Sequence, residues 1–95
     1  MSGKIIVVNG RRWFDRRWGN TYHSVEVNVN GDFVGSVDFD YGYGDHYLTN
    51  AHAILEKVYP EYKEAYEGEA LWRAVERNGD KLVNFVTDVS RKRDL

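Results

Sequence analysis

Four arginines and three large aromatic side chains fall within eight residues near the start of the chain: Arg11-Arg12-Trp13-Phe14-Asp15-Arg16-Arg17-Trp18. A guanidinium presents paired N–H donors that match a phosphate or a carboxylate, and its flat face stacks on aromatic rings. Arginine beside tryptophan is also the composition of interface hot spots. Arg11, Arg12, Trp13, Arg16, Arg17 and Trp18 are therefore candidate binding residues. The competing structural reading is that strand alternation buries Trp13 or Phe14 in the core and leaves the arginines solvated.

A second candidate is the loop Tyr41-Gly42-Tyr43-Gly44-Asp45. Tyr41 and Tyr43 would supply contact area at small entropy cost, as tyrosines do in recognition loops. The same loop has a plain job, which is to leave one element and begin the next. Asp38 and Asp40 stand two apart, so on a regular strand they share a face, opposite Phe39. Paired carboxylates can do acid–base or metal chemistry, or can simply form a solvated acidic edge. The tail Arg91-Lys92-Arg93-Asp94-Leu95 adds a short basic end.

The catalytic inventory is thin. His46 and His52 are six apart, on different sides of a helix, and match no zinc spacing. His23 lies in a strand on the face of Val25 and reads as a hydrogen-bonded core or edge histidine. Ser24 points to the other face, so the two cannot form a nucleophile–base pair. The Gly-x-Gly of the tyrosine loop is followed by no lysine and makes no phosphate loop. The chain has no cysteine, which excludes disulfides and thiolate metal sites. The expectation is a non-enzymatic protein with no catalytic residues, no metal site and no cofactor.

The elements that position these residues can be read from periodicity. In Val25–Phe39, VEVNVNGDFVGSVDF, apolar residues fall on every second position either side of Asn30-Gly31, the pattern of a half-buried hairpin. Val25, Val27 and Val29 share one face; Phe33, Val37 and Phe39 share the other arm's inner face. A two-residue Asn30-Gly31 turn would set Val29 opposite Asp32. A three-residue loop, Asn30-Gly31-Asp32, pairs Val29 with Phe33 and Val25 with Val37, and is the preferred register. Gly35 then lies opposite Val27 and leaves room for a group packed above it. An N-terminal strand is predicted over Lys4–Val8 and Arg11–Phe14, with a kink at Asn9-Gly10, and the hairpin strands over Thr21–Val29 and Phe33–Asp40.

Asp45 is placed as an N-cap for a helix from His46 to Tyr59, whose apolar stripe is Tyr47, Leu48, Ala51, Ile54, Leu55 and Val58. Pro60 stops it. Glu69–Arg77 reads as a shorter helix ending at Asn78-Gly79. Leu82–Val89 fits either period, and its β-branched content favours a strand. The fold class is α+β: an antiparallel three- to four-stranded sheet in the order β-β-β-α-α-β, helices on one face, residues 1–95 forming one domain.

Charge is segregated. Residues 1–20 carry a balance of +4, residues 21–70 of −8 and residues 71–95 of +2. An acidic middle repels phosphate, so a nucleic-acid contact would use the two ends of the chain. The longest apolar run near the start, Ile5–Val8, is too short for a membrane span or a signal-peptide core. A cytoplasmic protein with no membrane partner is expected, as a monomer or, through exposed strand edges, a homodimer.

The phrases NTYHSVEVNVNG, FDYGYGDHYL and VTDVSRKRDL resemble a family of short proteins of uncharacterised activity encoded by bacteriophages and other mobile elements, from about Trp13 onward. That resemblance implies a cytoplasmic accessory protein made in the host cell during infection, with no catalytic residues to carry over. The topology is also similar to double-stranded-RNA-binding domains. Their lysines at the helix start are replaced here by Asp45, His46 and Tyr47, which argues against that RNA contact. The first functional expectation is therefore a binder of a host or phage protein, including an anti-defence inhibitor whose acidic middle (Asp32, Asp38, Asp40, Glu61, Glu64, Glu67) mimics nucleic acid. The alternative is a nucleic-acid-binding protein using the basic-aromatic turn and the basic tail. A third is a nucleotide binder stacking a base on Trp18 or Tyr43.

Overall fold

The computed structural model describes residues 3–42, 46–62 and 70–95. Tyr43, the N-cap expected at Asp45, and Glu64 and Glu67 lie outside the described residues. Four strands, β1 (Ile5–Asp15), β2 (Asn20–Val29), β3 (Asp32–Tyr41) and β4 (Lys81–Val89), form one sheet in the order β3-β2-β1-β4. Helices α1 (His46–Val58) and α2 (Leu71–Arg77) lie between β3 and β4 in sequence, with short 3-10 turns at Pro60–Tyr62 and Lys92–Asp94. The architecture is α+β, as the periodicity predicts, and residues 81–89 are a strand. Among the described residues no helix is long and apolar enough to cross a membrane.

The sheet is mixed rather than wholly antiparallel. β1–β2 and β2–β3 are antiparallel, but β4 runs parallel to β1, from Ile5–Lys81 to Trp13–Val89. The reason is topological. The helical segment returns the chain to the end of the sheet where β1 begins, and a strand starting there must run alongside β1 in the same direction. β1 is also continuous through Asn9-Gly10, with no kink.

The hairpin turn differs from the preferred register. Asn30 (φ 53°) and Gly31 (φ 87°) both take left-handed backbone, and Val29 pairs with Asp32. This is the two-residue Asn-Gly turn whose twist matches paired strands. The one-residue correction that the buried face demands comes later. Asn28 pairs with Phe33 and Val27 with Gly35, so Val34 is the extra residue of a bulge. Val25 still meets Val37. Phe33 is consequently on the outer face and 62 % exposed.

A second irregularity sets Asp38 and Phe39 against Ser24. Phe39 therefore also faces outward, and Asp38 lies with it. Asp40, paired with His23, lies on the inner face. The expectation that Asp38 and Asp40 share a face, and that Phe33 and Phe39 join the core, is overturned by these two bulges.

The inner face carries the core. Ile6, Val8, Val25, Val27 and Val29 are buried beneath Tyr47, Ala51 and Leu55 of α1, Leu71, Ala74 and Val75 of α2, and Tyr62. The close approach of α1 depends on small residues below it: a β-carbon built at Gly35 would lie 2.8 Å from Ile54 Cγ2, and one at Gly10 2.7 Å from the Tyr47 ring. Val58, at the end of the predicted stripe, is half exposed, as is Trp72 on α2.

One polar network closes the core at the start of β1. The Asp80 carboxylate accepts from the amides of Gly3 (2.8 Å) and Lys4 (2.9 Å) and from the Tyr62 hydroxyl (2.6 Å), and the Lys4 ammonium stands 3.3 Å away. Burial pushes the Asp80 carboxyl up, but the Tyr62 hydroxyl, the two amides and Lys4 outweigh it and hold it below its ordinary value. Lys4 also pairs with Glu61 at 3.0 Å.

Candidate functional site

The β1–β4 ladder ends at Trp13–Val89, while β1 continues through Phe14 and Asp15 paired with β2. β4 thus stops two residues short, and the sheet is notched at that corner. Beyond the notch the chain turns through residues 16–19. The Asp15 carboxylate accepts from the Arg17 amide (3.0 Å), its carbonyl accepts from Gly19 (2.7 Å), and Gly19 takes φ 69°. This tight turn throws Arg16, Arg17 and Trp18 outward.

The result is an open concavity of about 740 Å3 whose lining includes Arg12, Trp13, Phe14, Arg16, Arg17 and Val89. Four of the six arginine and tryptophan residues singled out by sequence meet there. Tyr22 stacks on Trp13 (ring centroids 5.8 Å apart), so the ring surface Trp13 turns to the concavity is the part Tyr22 leaves uncovered. Arg12 reaches the notch through an ion pair with Asp88 (3.0 Å), its ladder neighbour. Asp15 also lines the site, giving three arginines against two carboxylates. Ser90 forms part of its rim, and the basic segment Arg91–Arg93 follows directly.

Two predicted members sit elsewhere. Trp18 is 68 % exposed outside the lining, with the Arg17 guanidinium 5.4 Å from its ring. Arg11 alternates to the outer face, where it donates to the Asp94 carbonyl (3.5 Å) and lines a shallow depression with Ser24, Phe33, Asp38 and Leu95. Among the described residues, neither α1 nor α2 packs on that face. Tyr22 stacks on Phe39 (4.8 Å) and meets Tyr41 at 5.6 Å, extending the Trp13 row across three strands. The tail crosses this face and sets the Lys92 ammonium 5.0 Å from the Phe39 ring.

The inner face holds a cluster that spacing along the chain did not reveal. His23 is 2 % exposed, and its Nε2 stands 2.7 Å from Asn50 Nδ2. The same amide nitrogen donates to Asp40 Oδ2 (2.9 Å), and His46 Nε2 lies 3.4 Å from that oxygen. Burial pushes the His23 pKa down, as does His46 beside it, against the opposing pull of Asp40 and the Gly42 backbone. The hydrogen bond from Asn50 is the main influence holding the Asp40 carboxyl below its ordinary value. His52 is remote from this group and bonds the Tyr62 carbonyl at 3.1 Å. One signal in the sequence points to the cluster: His46 and Asn50 are four apart at the start of α1, whereas the β3 bulge that turns Asp40 inward is visible only in the structure.

Comparison of the chain with protein-family models, curated proteins and solved structures found no match.

Proposed function

We propose that the chain is a nucleic-acid-binding protein that takes a flexible, single-stranded segment at the notch between the β1–β2 turn and the end of β4. The observation that carries this reading is the convergence of Arg12, Arg16 and Arg17 around an incompletely covered Trp13 ring in one concavity. Guanidinium groups hold phosphates while an indole accepts a base, the pairing that sequence-tolerant single-strand binders use. Arg91, Lys92 and Arg93, exposed and leading away from the rim, extend the positive track. A single-stranded partner fits better than a duplex, because a base must leave its stack to meet Trp13.

The acidic residues favour this reading over nucleic-acid mimicry. Asp40 is engaged by Asn50, and Glu61 by Lys4, while Asp32 begins β3 at the hairpin turn and Asp38 lies at its second bulge. A protein partner is a second reading, and the observation favouring it is the outer face with Phe33, Phe39, Tyr41 and Phe85 each 45 % or more exposed.

The test is fluorescence anisotropy with labelled single-stranded and duplex oligonucleotides of equal length. Preferential single-strand binding that weakens with salt supports the reading. Absence of binding at low salt, with a stoichiometric protein recovered from host lysate on the same bait, rejects it.

A further inference from the structure

The cluster on the inner face is built like a metal site. His23 comes from β2, Asp40 from β3 and His46 from the first turn of α1, and their ligand atoms all lie within 4.8 Å of one another. We propose that His23, Asp40 and His46 bind one divalent transition-metal ion of the Zn2+ class, and that the Asn50 amide stands in its place in the metal-free protein. Two imidazoles and one carboxylate are a donor set that zinc and its first-row neighbours accept, with a further position left for solvent or a carboxamide oxygen.

Three features beyond proximity support this assignment. The first is the second shell of His23. Its ring hydrogen-bonds the Gly42 backbone, where a carbonyl oxygen can only accept from a ring N–H. With one nitrogen held this way, Nε2 keeps its lone pair and aims it at Asn50, as the outer-shell partner of a ligating histidine requires.

The second is the position of Asn50. Its NH2 group lies between Nε2 of His23 (2.7 Å) and Oδ2 of Asp40 (2.9 Å) and donates to both acceptors, as a cation there would be shared by both. Rotation of the carboxamide about its last bond presents Oδ1 to the same point. The contrast with Asp80 is informative. That carboxylate has Lys4 beside it, whereas the ion-pair partners of Asp40 among the described residues are the two imidazoles.

The third is steric provision. A β-carbon at Gly42 would fall 2.5 Å from Cγ and Cδ2 of His46, so the missing side chain is what allows this ring to lie over the site. The present spacing is close to that of a bound ion. Tetrahedral zinc with bonds of about 2.0 Å sets its ligand atoms about 3.3 Å apart. His46 Nε2 and His23 Nε2 lie 3.4 Å and 4.0 Å from Asp40 Oδ2, and with all three ligand atoms within 4.8 Å of one another, side-chain rotations can close the set around an ion.

The full chain, stripped with a chelator, is titrated with Co2+ and then Zn2+, read by visible absorption and calorimetry. The expected result is one ion per chain, a Co2+ band that Zn2+ abolishes, and a raised melting temperature. The His46 side chain is 38 % exposed, so His46→Ala should keep the fold. It should remove the Co2+ band and lower Zn2+ affinity more than about a hundredfold, since even a second-shell loss costs about 10–100-fold. Gly42→Ala should weaken binding within that second-shell range, and His52→Ala should leave it unchanged. If His46→Ala alters the far-ultraviolet circular dichroism, Asp40→Asn supplies the same readout. No stoichiometric binding to the wild-type chain, or equal affinity in the wild type and in the folded ligand variant, overturns the proposal.

Discussion

Replacing Arg16 and Arg17 together by alanine should change the salt dependence of nucleic-acid binding by a predictable amount. Both side chains are exposed on the 16–19 turn and line the concavity. Arg91, Lys92 and Arg93 are also exposed, whereas Arg12 is already paired with Asp88. If those five exposed cations each neutralise one phosphate of a single strand, log K against log salt has a slope of about −3.5, and the double variant one of about −2.1. Raising salt from about 50 to about 200 mM then weakens wild-type binding roughly 130-fold but the variant only roughly 18-fold. The assay is anisotropy at several salt concentrations, with circular dichroism to show that the fold is kept. A double variant that binds with the wild-type slope would refute the reasoning, because its arginines would not be touching phosphate.

Trp13→Ala should weaken single-strand binding by roughly 5- to 140-fold, the cost of about 1–3 kcal/mol for losing one stacked base, while Trp72→Ala on α2 should not; anisotropy titration of both variants checks this. Gly10→Ala should destabilise the protein by about 1–3 kcal/mol in urea, since its methyl would press on the Tyr47 ring, which is buried and cannot retreat. Asp80→Asn should cost about 1–3 kcal/mol at neutral pH through weakened hydrogen bonds from the buried Tyr62 hydroxyl and the Gly3 and Lys4 amides. Because the folded-state pKa of Asp80 is depressed, its contribution is fully present above the unfolded value near about 4 and is lost as pH falls through the lower folded value. Urea denaturation of wild type and Asp80→Asn from about pH 7 to about pH 2 should show the stability gap closing at the acid end.

The inner valines were legible because burial imposes alternation, and Val25, Val27 and Val29 all lie under α1 or α2 as their spacing requires. The bulges were not legible. An extra residue at Val34, and Asp38 with Phe39 set against one residue, leave no composition mark, yet each reverses which side chains face outward. The direction of β4 was hidden for another reason: it depends on where the helical segment delivers the chain, and no local pattern encodes that. The arginine–tryptophan turn could be found from residue types alone, since its members are contiguous. The cluster of His23, Asp40 and His46 could not, because spacing rules test ligands within one element and these come from three.

In the proposed complex a nucleic-acid strand enters the sheet corner where β4 stops short of β1. Amide and indole chemical shifts of the 15N-labelled chain, followed while a single-stranded oligonucleotide is added, test it most directly. The expected shifts are confined to the Trp13 indole, the amides from Arg12 to Gly19, Val89, Ser90 and the basic tail. An unperturbed spectrum, or shifts centred on α1 and α2, would contradict it.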